Sequence, residues 1–177
     1  MLSGQILPNY TYEDYTAWQG DWELIEGLPY AMTPAPNLKH QRISTRLARL
    51  LDESLDDCEA CIATLAVDWK VDEHTVVQPD NLVTCHREEG QYLRKAPVLI
   101  FEILSESTAD RDRVTKFELY RREGVRYYAL VDPDERGVKI YRLREGEYLE
   151  EADAGKETRV FDLGPCRITL DFARIWP

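Results

Sequence analysis

The stretch Thr75–Val83 reads TVVQPDNLV and sets two residues against an otherwise apolar run. Pro79 has no amide to give a sheet ladder, and Asp80 carries a charge. Further along, Pro97–Ser105 reads PVLIFEILS, a strongly apolar strand with Glu102 in its middle. An unpaired buried carboxylate is costly, so such a group is usually paired, hydrogen-bonded or bound to a metal. If the two strands are neighbours, the like charges repel and one stays protonated unless a cation lies between them. A hard divalent ion, Mg²⁺ or Mn²⁺, suits two oxygen ligands completed by water. Such an ion polarises a phosphoryl oxygen and makes hydroxide available from bound water. With a lysine nearby to orient the water or stabilise developing charge, the chemistry is phosphodiester hydrolysis.

The lysine needs a source. In a Pro-Asp…(Asp/Glu)-x-Lys site it lies two residues after the second acid, and that position is Leu104. The next helix offers Lys116, on one face with Asp112 and Tyr120 at i−4 and i+4. The plainer reading of that face is an Asp112–Lys116 helix salt bridge worth a few tenths of a kcal/mol.

The elements that must position these groups follow from the pattern. WELIEGLPYAMTP reads as a strand pair turned at Gly27. PNLKHQRISTRLARLLDESLDD reads as a helix with Asn37 as N-cap and an apolar stripe of Ile43, Leu47, Leu50, Leu51 and Leu55. CIATLAVDWKV and VVQPDNLVTC read as paired strands turned near Asp72–His74, and APVLIFEIL as a strand buried on both faces. STADRDRVTKFELYRREG is a helix that Ser107 or Thr108 can cap and Gly124 can end. VRYYALVDP, GVKIYRLREG and EYLEEA are strands, followed by a last strand and a short helix, LDFARIW. Strand Pro97–Leu104, helix, strand Val125–Val131 makes a βαβ unit. The class is α/β, a mixed sheet with extra β-hairpins at both ends.

A chain of 177 residues suits one domain, 1–177. No apolar run approaches the roughly 18 residues of a membrane span, and the N-terminus has no basic n-region or long apolar h-region, so a cytoplasmic protein is expected. Net charge is −11, which disfavours general DNA binding through phosphate neutralisation. The basic residues do cluster, at Arg111, Arg113, Lys116, Arg121, Arg122 and Arg126, but interleaved acids favour a solvated helix face. Of the four cysteines, Cys58 and Cys61 have zinc-knuckle spacing. The adjacent pair Cys85-His86 makes an awkward second half for tetrahedral ligation, so reduced thiols are expected.

The segments YTYEDYTAW, GDWELIEGLPYAMTPAPNLKHQRIS, VVQPDNLV, EILSEST, DRDRVTKFELYRREGVRYYALVDP and VKIYRL, in this order, resemble the Uma-two family of restriction-endonuclease-like bacterial proteins. The resemblance runs from about Tyr10 to the C-terminus. It implies the PD-(D/E)xK nuclease fold, with the lysine moved from the strand to the following helix: Asp80, Glu102 and Lys116 here. It also implies roles for Glu23, in the family's ELIDG motif, and His40, in its PSPxHQ motif. Glu23 alone reads as a solvated residue on a strand's polar side, with Glu26 a rival from the other face; His40 alone reads as a solvated or loop-bonded residue. Asn81 departs from the family's apolar residue after Pro-Asp, and Glu106 from the Pro of LSPST. Together these features lead to a Mg²⁺- or Mn²⁺-dependent endonuclease acting on nucleic acid, most simply DNA. A non-catalytic dimeric binding or regulatory protein on the same fold is the alternative, and an enzyme acting on a small acidic metabolite a third. The aromatic N-terminal segment, with Tyr10, Tyr12, Tyr15, Trp18 and Trp22, points to a homodimer.

Overall fold

The computed structural model describes residues 7–32 and 34–177. After a short helix α1 (Tyr12–Ala17) come β1 (Trp22–Ile25) and β2 (Leu28–Ala31). They are joined at Glu26-Gly27, both at positive φ, as a two-residue primed turn requires. Helix α2 (Leu38–Ser54) is capped by Asn37, whose side chain accepts from the His40 amide.

The next hairpin answers the question raised by Pro79. Its arms are not two strands but four: β3 (Ile62–Leu65), β4 (Trp69–Asp72), β5 (Thr75–Val77) and β6 (Asn81–Thr84). β4 and β5 pair in a four-stranded sheet of order β2-β1-β5-β4, while β3 and β6 pair in a six-stranded sheet. Both arms break at the same level, at 66–68 and 78–80, so one long hairpin passes from sheet to sheet. The single strand expected across Pro79 is therefore interrupted. A proline cannot donate to a ladder, and Pro79 stands where the ladder changes partners.

β7 (Leu99–Ile103) is the axis of the six-stranded sheet. The sheet has the order β10-β9-β8-β7-β6-β3, with β7 parallel to β8 (Tyr127–Asp132) and every other pairing antiparallel. The β7–β8 connection carries a π-helical turn, Arg111–Thr115, running into α3 (Lys116–Arg122). Gly124 ends it at φ +81. β9 (Gly137–Arg144) and β10 (Glu147–Ala154) form the expected hairpin. Where one closing strand was expected there are two, β11 (Thr158–Asp162) and β12 (Arg167–Asp171), a separate antiparallel pair before a 3₁₀ turn, Phe172–Arg174.

Alternation along β7 sorts the core. Leu99, Phe101 and Ile103 pack with Ile43, Leu47 and Leu51 of α2 on one face. Ile100 packs with Leu119 and Tyr120 of α3 on the other. Glu102 alternates with Phe101 and Ile103, so it falls on the α3 face. The cysteines are not the reduced thiols expected: Cys58 is bonded to Cys166 and Cys61 to Cys85. Among the described residues no helix is long and apolar enough to cross a membrane.

Candidate active site

The register of β6 on β7, Asn81 opposite Phe101, places Asp80 opposite Glu102 at the point where β6 begins. Directly opposed residues share a face. The Asp80 amide donates to Glu102 Oε2 at 3.4 Å. Continuing the register would set Pro79 against Ile103, but the chain has left for the other sheet. The Ile103 amide donates instead to Asp80 Oδ2, at 2.8 Å. Asp80 thus completes the ladder that Pro79 abandons, using one oxygen. Its other oxygen, Oδ1, takes part in none of the described hydrogen bonds, and the side chain is 19% exposed.

Glu102 is buried. Its Oε1 accepts from Lys116 Nζ at 2.9 Å and from the Tyr120 hydroxyl at 2.7 Å. Lys116 is buried too, and its ammonium lies 2.8 Å from Glu23 Oε1 and 3.7 Å from Asp112 Oδ1. The expected Asp112–Lys116 helix pair therefore exists, but it is the longest of the three contacts. Glu23 is not solvated: it is fully buried, and its Oε1 also accepts from the Gln78 amide at 2.8 Å. Glu26, its rival, is exposed and pairs with Arg122. His40 reaches Asp80 Oδ2 from the first turn of α2, at 3.2 Å. It is buried rather than solvated, and its Nδ1 has no partner among the described residues.

All five residues singled out from sequence thus lie in one cluster. Four neighbours were not assigned to it, the first being Asp112 beside Lys116. Arg111 Nε lies 3.5 Å from Glu23 Oε2, and its guanidinium stacks over Tyr30. Tyr120 binds Glu102, and Gln78 holds Glu23. Asp112 and Tyr120 left a sequence signal, their places one turn to either side of Lys116. The π-helical turn closes when the Lys116 amide donates to the Arg111 carbonyl. Such turns frequently occur at functional sites. Leu104, where a strand lysine would stand, lines a cavity of about 500 Å³ beside the cluster, with Arg113, Phe117, Asp132, Lys139 and Tyr141.

The basic run is a solvated face only in part: Arg113 and Arg122 are exposed. Arg111 and Lys116 turn inward, Arg121 pairs with Glu118 and Glu147, and Arg126 donates to the Asp162 carbonyl.

Charge is unbalanced inside the cluster. Four carboxylates, of Asp80, Glu102, Glu23 and Asp112, meet two fixed cations, Lys116 and Arg111, leaving two negative charges before His40 is counted. Burial pushes the Glu102 carboxyl well above its ordinary pKa; Lys116 opposes this, while Asp112, Asp80 and Glu23 reinforce it. Burial likewise raises Asp112. Burial by itself would lower the Lys116 pKa, but Glu102, Glu23 and Asp112 together raise it, so the ammonium is charged. Glu23 Oε2, Arg111 Nε and Asp112 Oδ1 are buried without a hydrogen-bond partner among the described residues. A divalent cation fits this donor set. With all four carboxyls ionised the cluster lacks two positive charges; it has a free carboxylate oxygen on the half-open Asp80 and a second carboxyl directly across the ladder.

The model of the Uma2 family, described as "Putative restriction endonuclease", matches residues 12–172. The chain is 31% identical over 153 residues to "Uncharacterized protein slr1290" of Synechocystis sp., covering 80% of this chain and 79% of that one. A crystal structure described as a putative nuclease belonging to DUF820 from Anabaena variabilis superposes with a TM-score of 0.75 at 21% identity, over 94% of this chain and 97% of the other. At that identity the likeness speaks for the fold, which is restriction-endonuclease-like. By the family match across nearly its whole length, this chain belongs to the Uma2 family of restriction-endonuclease-like proteins.

Proposed function

We propose that the protein is a metal-dependent endonuclease, hydrolysing phosphodiester bonds of nucleic acid, most simply DNA, in the cytoplasm. The carrying observation is that Asp80 and Glu102 are opposed across one ladder inside a cluster where four carboxyls meet two fixed cations. Asp80 and Glu102 would hold Mg²⁺ or Mn²⁺. The ion would supply Lewis-acid polarisation of a phosphoryl oxygen and a nucleophilic hydroxide from bound water.

The chain's own residues fix that arrangement. Lys116 spends two of its three N–H donors on Glu102 and Glu23. It thereby locks both carboxylates in orientation, and its remaining donor lies on the side of Asp112, 3.7 Å away. Tyr120 holds the same Glu102 oxygen as Lys116 does, so Oε2, which the Asp80 amide reaches at 3.4 Å, is the oxygen that would meet a metal. His40 and the Ile103 amide occupy Asp80 Oδ2, which turns Oδ1 outward. Glu23 and Arg111 form the floor of the site, away from the substrate.

A cleavage assay on plasmid and branched DNA with Mg²⁺ or Mn²⁺ tests this. Asp80→Asn should abolish nicking; nicking that survives in Asp80→Asn, or none in wild type with either ion, sinks the nuclease reading. The second reading, a non-catalytic binding or regulatory protein, is favoured by the net charge of −11 and by the inward or paired cations of the 111–126 run. Metal binding without cleavage of any nucleic acid would select it. In either case we propose a homodimer, built on the half-buried rings of Tyr12, Tyr15, Trp18 and Trp22, which pack in a chain of edge and stacked contacts. A monomer mass by light scattering at micromolar concentration would refute it.

A further inference from the structure

We propose that the four cysteines form a zinc tetrathiolate site, separate from the acidic cluster, whose oxidised form is the pair of disulfides. Cys58 and Cys61, spaced C-x-x-C, lie between α2 and β3. Cys85 follows β6, and the β3–β6 register that pairs Ile62 with Thr84 sets Cys61 opposite Cys85. Cys166 comes from the turn of the β11–β12 hairpin, far along the chain. Folding brings all four sulfurs to one place. Cys61 Sγ and Cys166 Sγ, which are not bonded to each other, lie 3.7 Å apart. The Sγ atoms of Cys58, Cys61 and Cys166 all lie within 4.8 Å of one another, and Cys85 Sγ, outside that group, is bonded to Cys61 Sγ.

For three of the four sulfurs those are the dimensions of a zinc cage. Thiolates about 2.3 Å from a tetrahedral Zn²⁺ stand roughly 3.8 Å from each other. A C-x-x-C pair plus two single cysteines from other elements is a Cys₄ donor set. In sequence the second half of the site looked like Cys85-His86; in the fold it is Cys85 and Cys166. A zinc ion would tie together the same three pieces as the disulfides: the C-terminal end of α2, the β3–β6 edge and the β11–β12 hairpin. Cys58, Cys85 and Cys166 are half-buried, which leaves a way in.

A reducing compartment keeps such thiols reduced. Each disulfide takes two electrons and two protons from a dithiol reductant, which itself becomes a disulfide. Two dithiols therefore yield four thiols, and Zn²⁺ binding displaces their four protons. A disulfide-bearing oxidant runs the exchange backwards and expels the ion.

The test uses the full chain, reduced with a dithiol, desalted anaerobically and titrated with Co²⁺ and then Zn²⁺. One Co²⁺ per chain should appear with sulfur-to-metal charge-transfer and tetrahedral d–d bands, be displaced by one Zn²⁺, and persist in Asp80→Asn. Oxidation should release the zinc and leave no thiol titratable in denaturant. Cys85→Ser and Cys166→Ser should each lose the charge-transfer signal. A reduced wild-type chain that shows no sulfur-ligated Co²⁺ overturns the proposal, as does an unchanged signal in folded Cys166→Ser. The wild-type titration decides the matter even where a variant fails to fold.

Discussion

Lys116 Nζ lies 2.9 Å from Glu102 Oε1, and both side chains are closed to solvent. Glu23 lies on the other side of the same ammonium, and Asp112 behind it. Lys116 is thus the internal counterion of three buried carboxylates. Taking one partner from a buried charge pair leaves the other uncompensated and costs about 3–5 kcal/mol. Lys116→Met, which keeps most of the volume, should therefore lower unfolding stability by about that amount at neutral pH. Mg²⁺ or Mn²⁺ affinity in the folded fraction should hold or rise, because a cation beside the site is gone. Urea unfolding with calorimetric metal titration checks both; wild-type stability in Lys116→Met would mean that the carboxylates do not depend on it.

The raised Glu102 and Asp112 carboxyls give the protein a pH signature. Unfolded, Asp and Glu titrate near 3.9 and 4.3. Folded, these two hold their protons to higher pH, so the native state binds more protons than the unfolded state above that range. Stability contributed by their protonated forms is then lost as pH rises toward the folded pKa values. Metal-free protein should unfold at lower denaturant concentration at pH 7.5 than at pH 5.5, and saturating Mg²⁺ should reduce the difference. Metal binding should release protons, with affinity rising with pH. Proton release measured in two buffers checks this, and metal binding without proton uptake or release would show Glu102 already ionised.

How far this site could be read from the sequence depended on the range of each interaction. Asp80 and Glu102 announced themselves because a charge in an apolar strand is a local anomaly. Lys116 was legible through helix periodicity and family resemblance. Glu23 read as solvated because WELI alternates as a strand with one wet face would; its burial comes from packing against α3, far along the chain. Arg111 was hidden for the same reason, inside a run whose interleaved acids suggested solvent. The break at Pro79 was visible, but not the change of sheet, because only the matching break at 66–68 in the opposite arm makes it a crossover. The cysteines were the plainest miss. Cys58 and Cys166 are 108 residues apart, and local spacing carries no trace of that meeting.

Asn81 departs from an apolar position and is fully buried, so it needs partners. Ser44 of α2 supplies both: its hydroxyl donates to Asn81 Oδ1 at 3.0 Å, and its carbonyl accepts from Asn81 Nδ2 at 3.1 Å. Removing one member strands the other, at about 1–3 kcal/mol, while replacing both with apolar groups is close to neutral. Ser44→Ala and Asn81→Leu should each destabilise, and the double variant should recover part of the loss. A double-mutant cycle in urea gives the coupling; additive losses would show that the two side chains do not interact.

Asp80 carries two duties, and its variants can separate them. One oxygen holds the Ile103 amide and His40, finishing the β7 edge that Pro79 leaves open. The other faces the half-open side, where a metal would sit. Asp80→Asn keeps a carbonyl oxygen for the Ile103 amide but halves the acids available to a cation. It should lose Mg²⁺ and Mn²⁺ binding while changing stability by less than about 1 kcal/mol, with relief of repulsion on Glu102 offsetting the weaker hydrogen bond. Asp80→Ala leaves the buried amide and His40 without an acceptor. It should lose the metal and also about 1–3 kcal/mol of stability. Thermal melts and Mn²⁺ titrations of both variants distinguish the duties. If Asp80→Asn still binds the ion with wild-type affinity, Asp80 belongs to the scaffold alone, and Pro-Asp here marks the passage of a chain between two sheets.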